Sequence, residues 1–141
     1  MSFVTTILRD TAITTGSPSG GFVTVKATFA SDTATNLILD AHSLKGFVNG
    51  CKLDLTRAWW SFSIGNYDTD NSNDCIIEFV STGTDVVALH LSGTGHSDGT
   101  AGAIKGTAVN TTATSSDITA QTKTTSGFVI LEFKKNSAWV A

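Results

Sequence analysis

Three histidines, His42, His90 and His96, and two glutamates, Glu78 and Glu132, are the residues of this 141-residue chain best suited to acid–base chemistry. Nucleophilic catalysis needs a serine or cysteine within hydrogen-bond reach of a base that is itself held in place. None of the histidines falls in a known nucleophile motif. His90 lies in VVALHLSG, whose alternation reads as a strand carrying a hydrogen-bonded histidine. Glu78 and Glu132 are the only pair of glutamates available for glycosidic chemistry, and both read as outward strand positions. The chain is therefore expected not to be an enzyme, with no catalytic or cofactor-binding residue.

Metal chemistry has two candidate stretches. His96 and Asp98 sit in the loop-like Gly93–Gly99 segment and supply one ligand pair, whereas zinc takes three or four ligands. Those glycines do not form a phosphate loop, since no Lys-Ser/Thr follows them. The run Asp68, Asp70, Ser72 and Asp74 resembles the start of a calcium loop, but Asn73 stands where an EF-hand needs glycine and Phe79 where it needs a bidentate glutamate. A polar hairpin loop is the expectation, and no metal.

The elements that position these residues read as strands. FVTVKATFA puts Val23, Val25, Ala27 and Phe29 on one face and Thr24, Lys26 and Thr28 on the other, the pattern of a half-buried antiparallel strand. Further strands are expected at 3–14, 36–40, 51–63, 75–81, 86–92 and 127–135, with weaker pieces at 103–109 and 117–123. Turn residues separate them at 16–21, 47–50, 66–73, 82–85 and 93–102. Only 41–46 is suited to a single helical turn, with Gly46 as its end. The prediction is an all-β fold: an antiparallel β-sandwich or jelly roll of about eight short strands with essentially no helix. Residues 1–141 make one domain, in which the Thr/Ser-rich 107–126 is either an edge strand or an arm lying on a partner.

A net charge of −3 and a pI near 5.4, with scattered basic residues, argue against nucleic acid and anionic membranes as partners. The adjacent Lys134 and Lys135 read as a solvated strand end. No stretch is long and apolar enough to span a bilayer, and MSFVTTILRD lacks the pattern of a secretory leader, so synthesis in the cytoplasm is expected. Cys51 and Cys75 read as reduced, packed thiols, with a bridge between neighbouring strands as the alternative.

One surplus remains. In TRAWWSFS, Trp59 and Trp60 are adjacent, so a regular strand sends them to opposite faces. Leu53 and Leu55 share the parity of Trp59, whereas Ala58 and Phe62 share that of Trp60, so the apolar face changes along the strand. Either a β-bulge between 57 and 60 or a crossing from one sheet to the other explains the change. The alternative is an indole at an interface, where Trp is enriched as an anchor. The candidate interface residues are Trp59, Trp60, Tyr67 and Trp139.

The succession TATNLILDAHSLKG, CKLDLTRAWWSFS, IIEFVSTGTDVVALHLSGTGH, SSDITAQTKTT and SGFVILEFKK, over most of 20–135, resembles a group of small β-rich virion proteins of tailed bacteriophages of the marine and cyanobacterial type. The pieces LxLTRxxW, VVALxLSGxGH and FVILEFxK carry it. Ser97 departs from that group, which often has an aromatic after the Gly-His. The resemblance implies a particle structural protein. The leading expectation is a capsid decoration, or cement, protein on the capsid surface that binds the major capsid protein and stabilises the head. A neck or tail component is the structural alternative, and a carbohydrate-binding module with Trp59 or Trp60, Tyr67 and Trp139 as its platform is the alternative of another class. Exposed strand edges further predict a homo-oligomer, a dimer or a trimer.

Overall fold

The computed structural model describes residues 2–13, 21–48, 51–63, 74–80, 85–98, 104, 117–136 and 139–140. Among the described residues, nine strands, all antiparallel, form two sheets. They are β1 (Ser2–Asp10), β2 (Phe22–Asp32), β3 (Thr35–Leu39), β4 (Lys52–Phe62), β5 (Cys75–Phe79), β6 (Val86–Leu91), β7 (Thr94–Ser97), β8 (Ile118–Thr122) and β9 (Thr125–Asn136). The first sheet has the order β1-β2-β9-β4-β7 and the second β3-β8-β5-β6. The expected all-β sandwich is the fold, and the expected helical turn is a 3-10 turn at Ala41–Ser43.

Period-2 alternation makes the core. Val23, Val25, Ala27 and Phe29 of β2, Val129, Leu131 and Phe133 of β9, and Leu53, Leu55, Ala58 and Phe62 of β4 point inward from the first sheet. Ile77 and Phe79 of β5, Ile118 and Ala120 of β8 and Leu91 of β6 answer from the second. Cys51 and Cys75 are both buried and neither forms a disulfide.

Two adjacent chain passages carry strands from one sheet to the other. β2 bends into β3 through Ser31 (φ 50°), and β8 into β9 through Thr124 (φ 48°). The corner is tied by Ser31 N donating to Ser126 Oγ (2.9 Å), Thr124 N to Thr33 Oγ1 (2.8 Å) and Thr122 N to the Ala34 carbonyl (2.8 Å). Short hydroxyl side chains satisfy backbone groups that a bent strand cannot pair with its neighbours. The Thr/Ser richness of this stretch thus serves the sandwich corner.

Three expectations need correction. Residues 107–116 lie outside the described residues, but Ile118–Thr122 is neither edge strand nor arm: β8 runs between β3 and β5. The glycine-rich 93–102 is not a plain loop, because Thr94–Ser97 pairs with β4. Lys135 is not solvated. It continues the inward row of Leu131 and Phe133, its side chain is 0% exposed, and Nζ reaches Asp10 Oδ1 (2.6 Å), Thr11 O (2.9 Å) and Lys45 O (2.8 Å). Three donors meet three acceptors, which is what lets an ammonium group stay buried.

Candidate functional site

The tryptophan pair is resolved by a bulge. Leu55 pairs with Phe133 and Arg57 with Glu132, so Thr56 is the extra residue on β4. Its hydroxyl lies 3.0 Å from both the carbonyl and Oε1 of Glu132. Alternation is reset there, N-terminal to the expected 57–60 window. Because β4 pairs with β9 from Lys52 to Phe62, the strand does not change sheet.

Trp60 therefore turns inward at the sheet margin. It packs against the core, donates Nε1–H to the Ser92 carbonyl (3.0 Å), and lies against Gly95 of β7, where a Cβ would stand 2.6 Å from its ring. That contact explains the glycine. Trp59 turns to the outer face of the first sheet, opposite His96 on β7 and Ile130 on β9.

Cross-strand register builds that outer face in rows: Thr6, Lys26, Ile130, Trp59 and His96; then Val4, Thr28, Phe128, Ser61 and Thr94. Most of the side chains in the middle strands are half-buried. Lys26 Nζ stands 5.7 Å from the Phe128 ring centre, and the Arg9 guanidinium 5.0 Å from that of Phe22. Glu132 draws in Arg9 (3.6 Å) and Arg57 (3.8 Å). The face is amphipathic, with rings and cations interleaved.

The edge beside it is more apolar. Among the described residues β1 pairs only with β2, and Val4, Ile7 and Leu8 are 56%, 45% and 53% exposed. Leu8 is itself a bulge residue, skipped between Ile7 and Arg9. Apolar side chains stand out on both faces of this edge strand.

Trp139 is docked on its own domain. It is 6% exposed, donates Nε1–H to the Lys52 carbonyl (2.8 Å), meets the Phe47 ring edge-on at 5.8 Å and lies 5.0 Å from Lys135 Nζ. Tyr67 lies outside the described residues, as does the acidic run apart from Asp74. His90 Nε2 is 3.1 Å from Asp74 Oδ2, a hydrogen-bonded strand histidine as expected.

One cluster has no counterpart in the sequence reading. Leu39 pairs with Ile118, so Asp40, just after β3, and Asp117, just before β8, emerge side by side. The 3-10 turn then brings His42 back over them. Its Nδ1 lies 3.4 Å from Asp40 Oδ1 and 3.5 Å from Asp117 Oδ1. Asp40 Oδ1 accepts from His42 N and Asp117 Oδ1 from Ala41 N, each at 2.9 Å. Burial pushes the Asp117 carboxyl up to about 6, against the lowering effect of the Ala41 amide. An Asp-x-His spacing is the local signal, but the second aspartate comes from a distant strand.

A smaller hollow of about 100 Å3 lies beside the β4 bulge, lined by Leu55, Arg57, Leu89, Ser97 and Ile104 among others. Ile104, one of its lining residues, forms an antiparallel bridge with Leu55. No helix of the described residues is long and apolar enough to cross a membrane. No protein-family model matches the chain, and comparison with curated proteins and with solved structures gives no match.

Proposed function

We propose that this chain is a structural module of a tailed-phage particle, a decoration protein that binds the major capsid protein on the outside of the head and stabilises it. The observation that supports an assembling protein is β1: nine residues, paired on one side among the described residues, with Val4, Ile7 and Leu8 exposed. Such an edge offers a row of backbone donors and acceptors together with apolar side chains to another chain. Pairing with a second copy in a closed dimer or trimer satisfies it, and many copies on a symmetric lattice then gain from multivalency. The particle assignment itself rests on the resemblance to phage virion proteins.

Cryo-electron microscopy of particles made with and without the gene tests this directly. Density on the head lattice that disappears with the gene is the expected result. Density in the neck or tail lumen gives the neck or tail component instead. In solution, light scattering should show a dimer or trimer that Ile7→Lys and Leu8→Lys convert to a folded monomer. A wild-type monomer at micromolar concentration overturns self-pairing through β1.

A carbohydrate-binding module is the second reading, favoured by Trp59 in its outer-face row with Ile130 and His96. Indole faces stack on the apolar faces of sugars. A glycan array combined with tryptophan fluorescence separates the two: quenching lost in Trp59→Ala supports sugar binding, and no response to any glycan removes it.

A further inference from the structure

We propose that Asp40, His42 and Asp117 form a binding site for a divalent cation of the zinc class, taking His42 Nδ1 and one oxygen from each carboxylate. The three ligand atoms lie within 4.8 Å of one another. The decisive geometry is their spacing. A hydrogen bond from an imidazole nitrogen to a carboxylate closes to about 2.7–3.2 Å. Bonds of about 2.0–2.1 Å to a tetrahedral zinc ion set ligand atoms roughly 3.3–3.4 Å apart. The two imidazole–carboxylate separations, 3.4 and 3.5 Å, lie close to that polyhedron edge, and the third pair of ligand atoms is within 4.8 Å.

The state of the imidazole nitrogen points the same way. His42 Nδ1 is shielded from solvent, although its side chain is 29% exposed, and has no hydrogen-bond partner among the described residues while it faces both carboxylates. A buried polar atom left unpaired is unfavourable, so it calls for an occupant. Neutral imidazole nitrogen with two carboxylate oxygens suits zinc-like ions, whereas calcium and magnesium take oxygen ligands.

The surroundings hold the ligands ready. The Phe47 ring stands 4.3 Å from the His42 ring, and Phe47 is braced in turn by Trp139. The Ala41 and His42 amides fix one oxygen each of Asp117 and Asp40. Asp117 is 5% exposed and Asp40 48%, so the ion enters from the Asp40 side and a water completes its shell there. This site is independent of whether the protein decorates a capsid.

The experiment is metal titration of the whole chain after chelator treatment and dialysis. Zinc is expected to bind with one ion per chain and to raise the thermal midpoint, and cobalt(II) to give the visible bands of a tetrahedral complex. His42→Ala and Asp40→Asn are each expected to weaken zinc binding by about tenfold or more. Asp40 is largely exposed, so Asp40→Asn keeps the test decisive if His42→Ala fails to fold. Absence of saturable binding, equal binding by the variants, or a cobalt–thiolate band from Cys51 or Cys75 overturns the site.

Discussion

Replacing Lys135 with methionine removes a charge from inside the sandwich while keeping the length of the side chain. The ammonium group is fully buried and its three partners come from the end of β1 (Asp10, Thr11) and from Lys45, after the 3-10 turn. Methionine leaves two carbonyls and one carboxylate oxygen without their donor. Breaking a buried ion pair from one side typically costs about 3–5 kcal/mol. Asp10 keeps the Lys45 amide at 2.9 Å and its side chain is 15% exposed, which favours the lower end, about 3 kcal/mol. A domain of this size is stable by roughly 5–15 kcal/mol, so the loss should lower the thermal midpoint by about 10 °C. Urea unfolding followed by tryptophan fluorescence measures it. Adding Asp10→Asn to Lys135→Met should restore about 1–2 kcal/mol by neutralising the orphaned carboxylate. A Lys135→Met protein within about 0.5 kcal/mol of wild type would refute the buried-cation account, and a double variant less stable than the single one would refute the charge as its cause.

Trp60→Ala should cost about 2–3 kcal/mol in urea unfolding, since it opens a half-filled margin of the core and orphans the Ser92 carbonyl, whereas Trp59→Ala on the outer face should cost under about 1 kcal/mol; equal costs contradict the bulge-set facing. Gly95→Ala should destabilise by about 1–2 kcal/mol and shift indole emission, because its Cβ meets Trp60 at 2.6 Å. In a Trp60→Ala background that cost should vanish. Trp139→Ala should lose about 3 kcal/mol in the isolated chain, because the indole is packed on its own domain; unchanged stability would mean that it serves only a partner. Burial pushes the Cys51 thiol up and covers Cys75 completely, so Ellman's reagent should label neither thiol in the native protein and both after unfolding. Rapid native labelling contradicts this packing.

The parts of the fold that local alternation controls were legible. The stretch 22–29 writes out its buried and half-buried faces residue by residue, and the change of face along Lys52–Phe62 was visible in the apolar pattern. Its position was not, since a bulge is defined by two residues facing one on the partner strand, and that partner is β9. The same limit hid β7: Gly95 reads as a turn residue until Trp60 is seen lying on it. Lys135 shares the parity of the core residues Leu131 and Phe133, which hinted at an inward direction. The acceptors that make burial tolerable sit 125, 124 and 90 residues away in sequence.

The buried Lys135 is also joined to His42 through a series of ring contacts. Lys135 lies against Trp139, Trp139 against Phe47, and Phe47 against His42, with separations of 5.0, 5.8 and 4.3 Å. The C-terminal indole thus braces both a buried ammonium group, which needs its carbonyl and carboxylate acceptors held still, and the imidazole over Asp40 and Asp117. Gly46 fits the same arrangement: its φ of +81° and the approach of the Val140 carbonyl leave no room for a side chain, and Val140 N donates back to the Gly46 carbonyl at 2.9 Å. This tie supplies the rigidity that any ion site needs in its supporting shell, so an ion held by His42 should couple to the docking of Trp139 rather than to the β1 edge proposed for assembly.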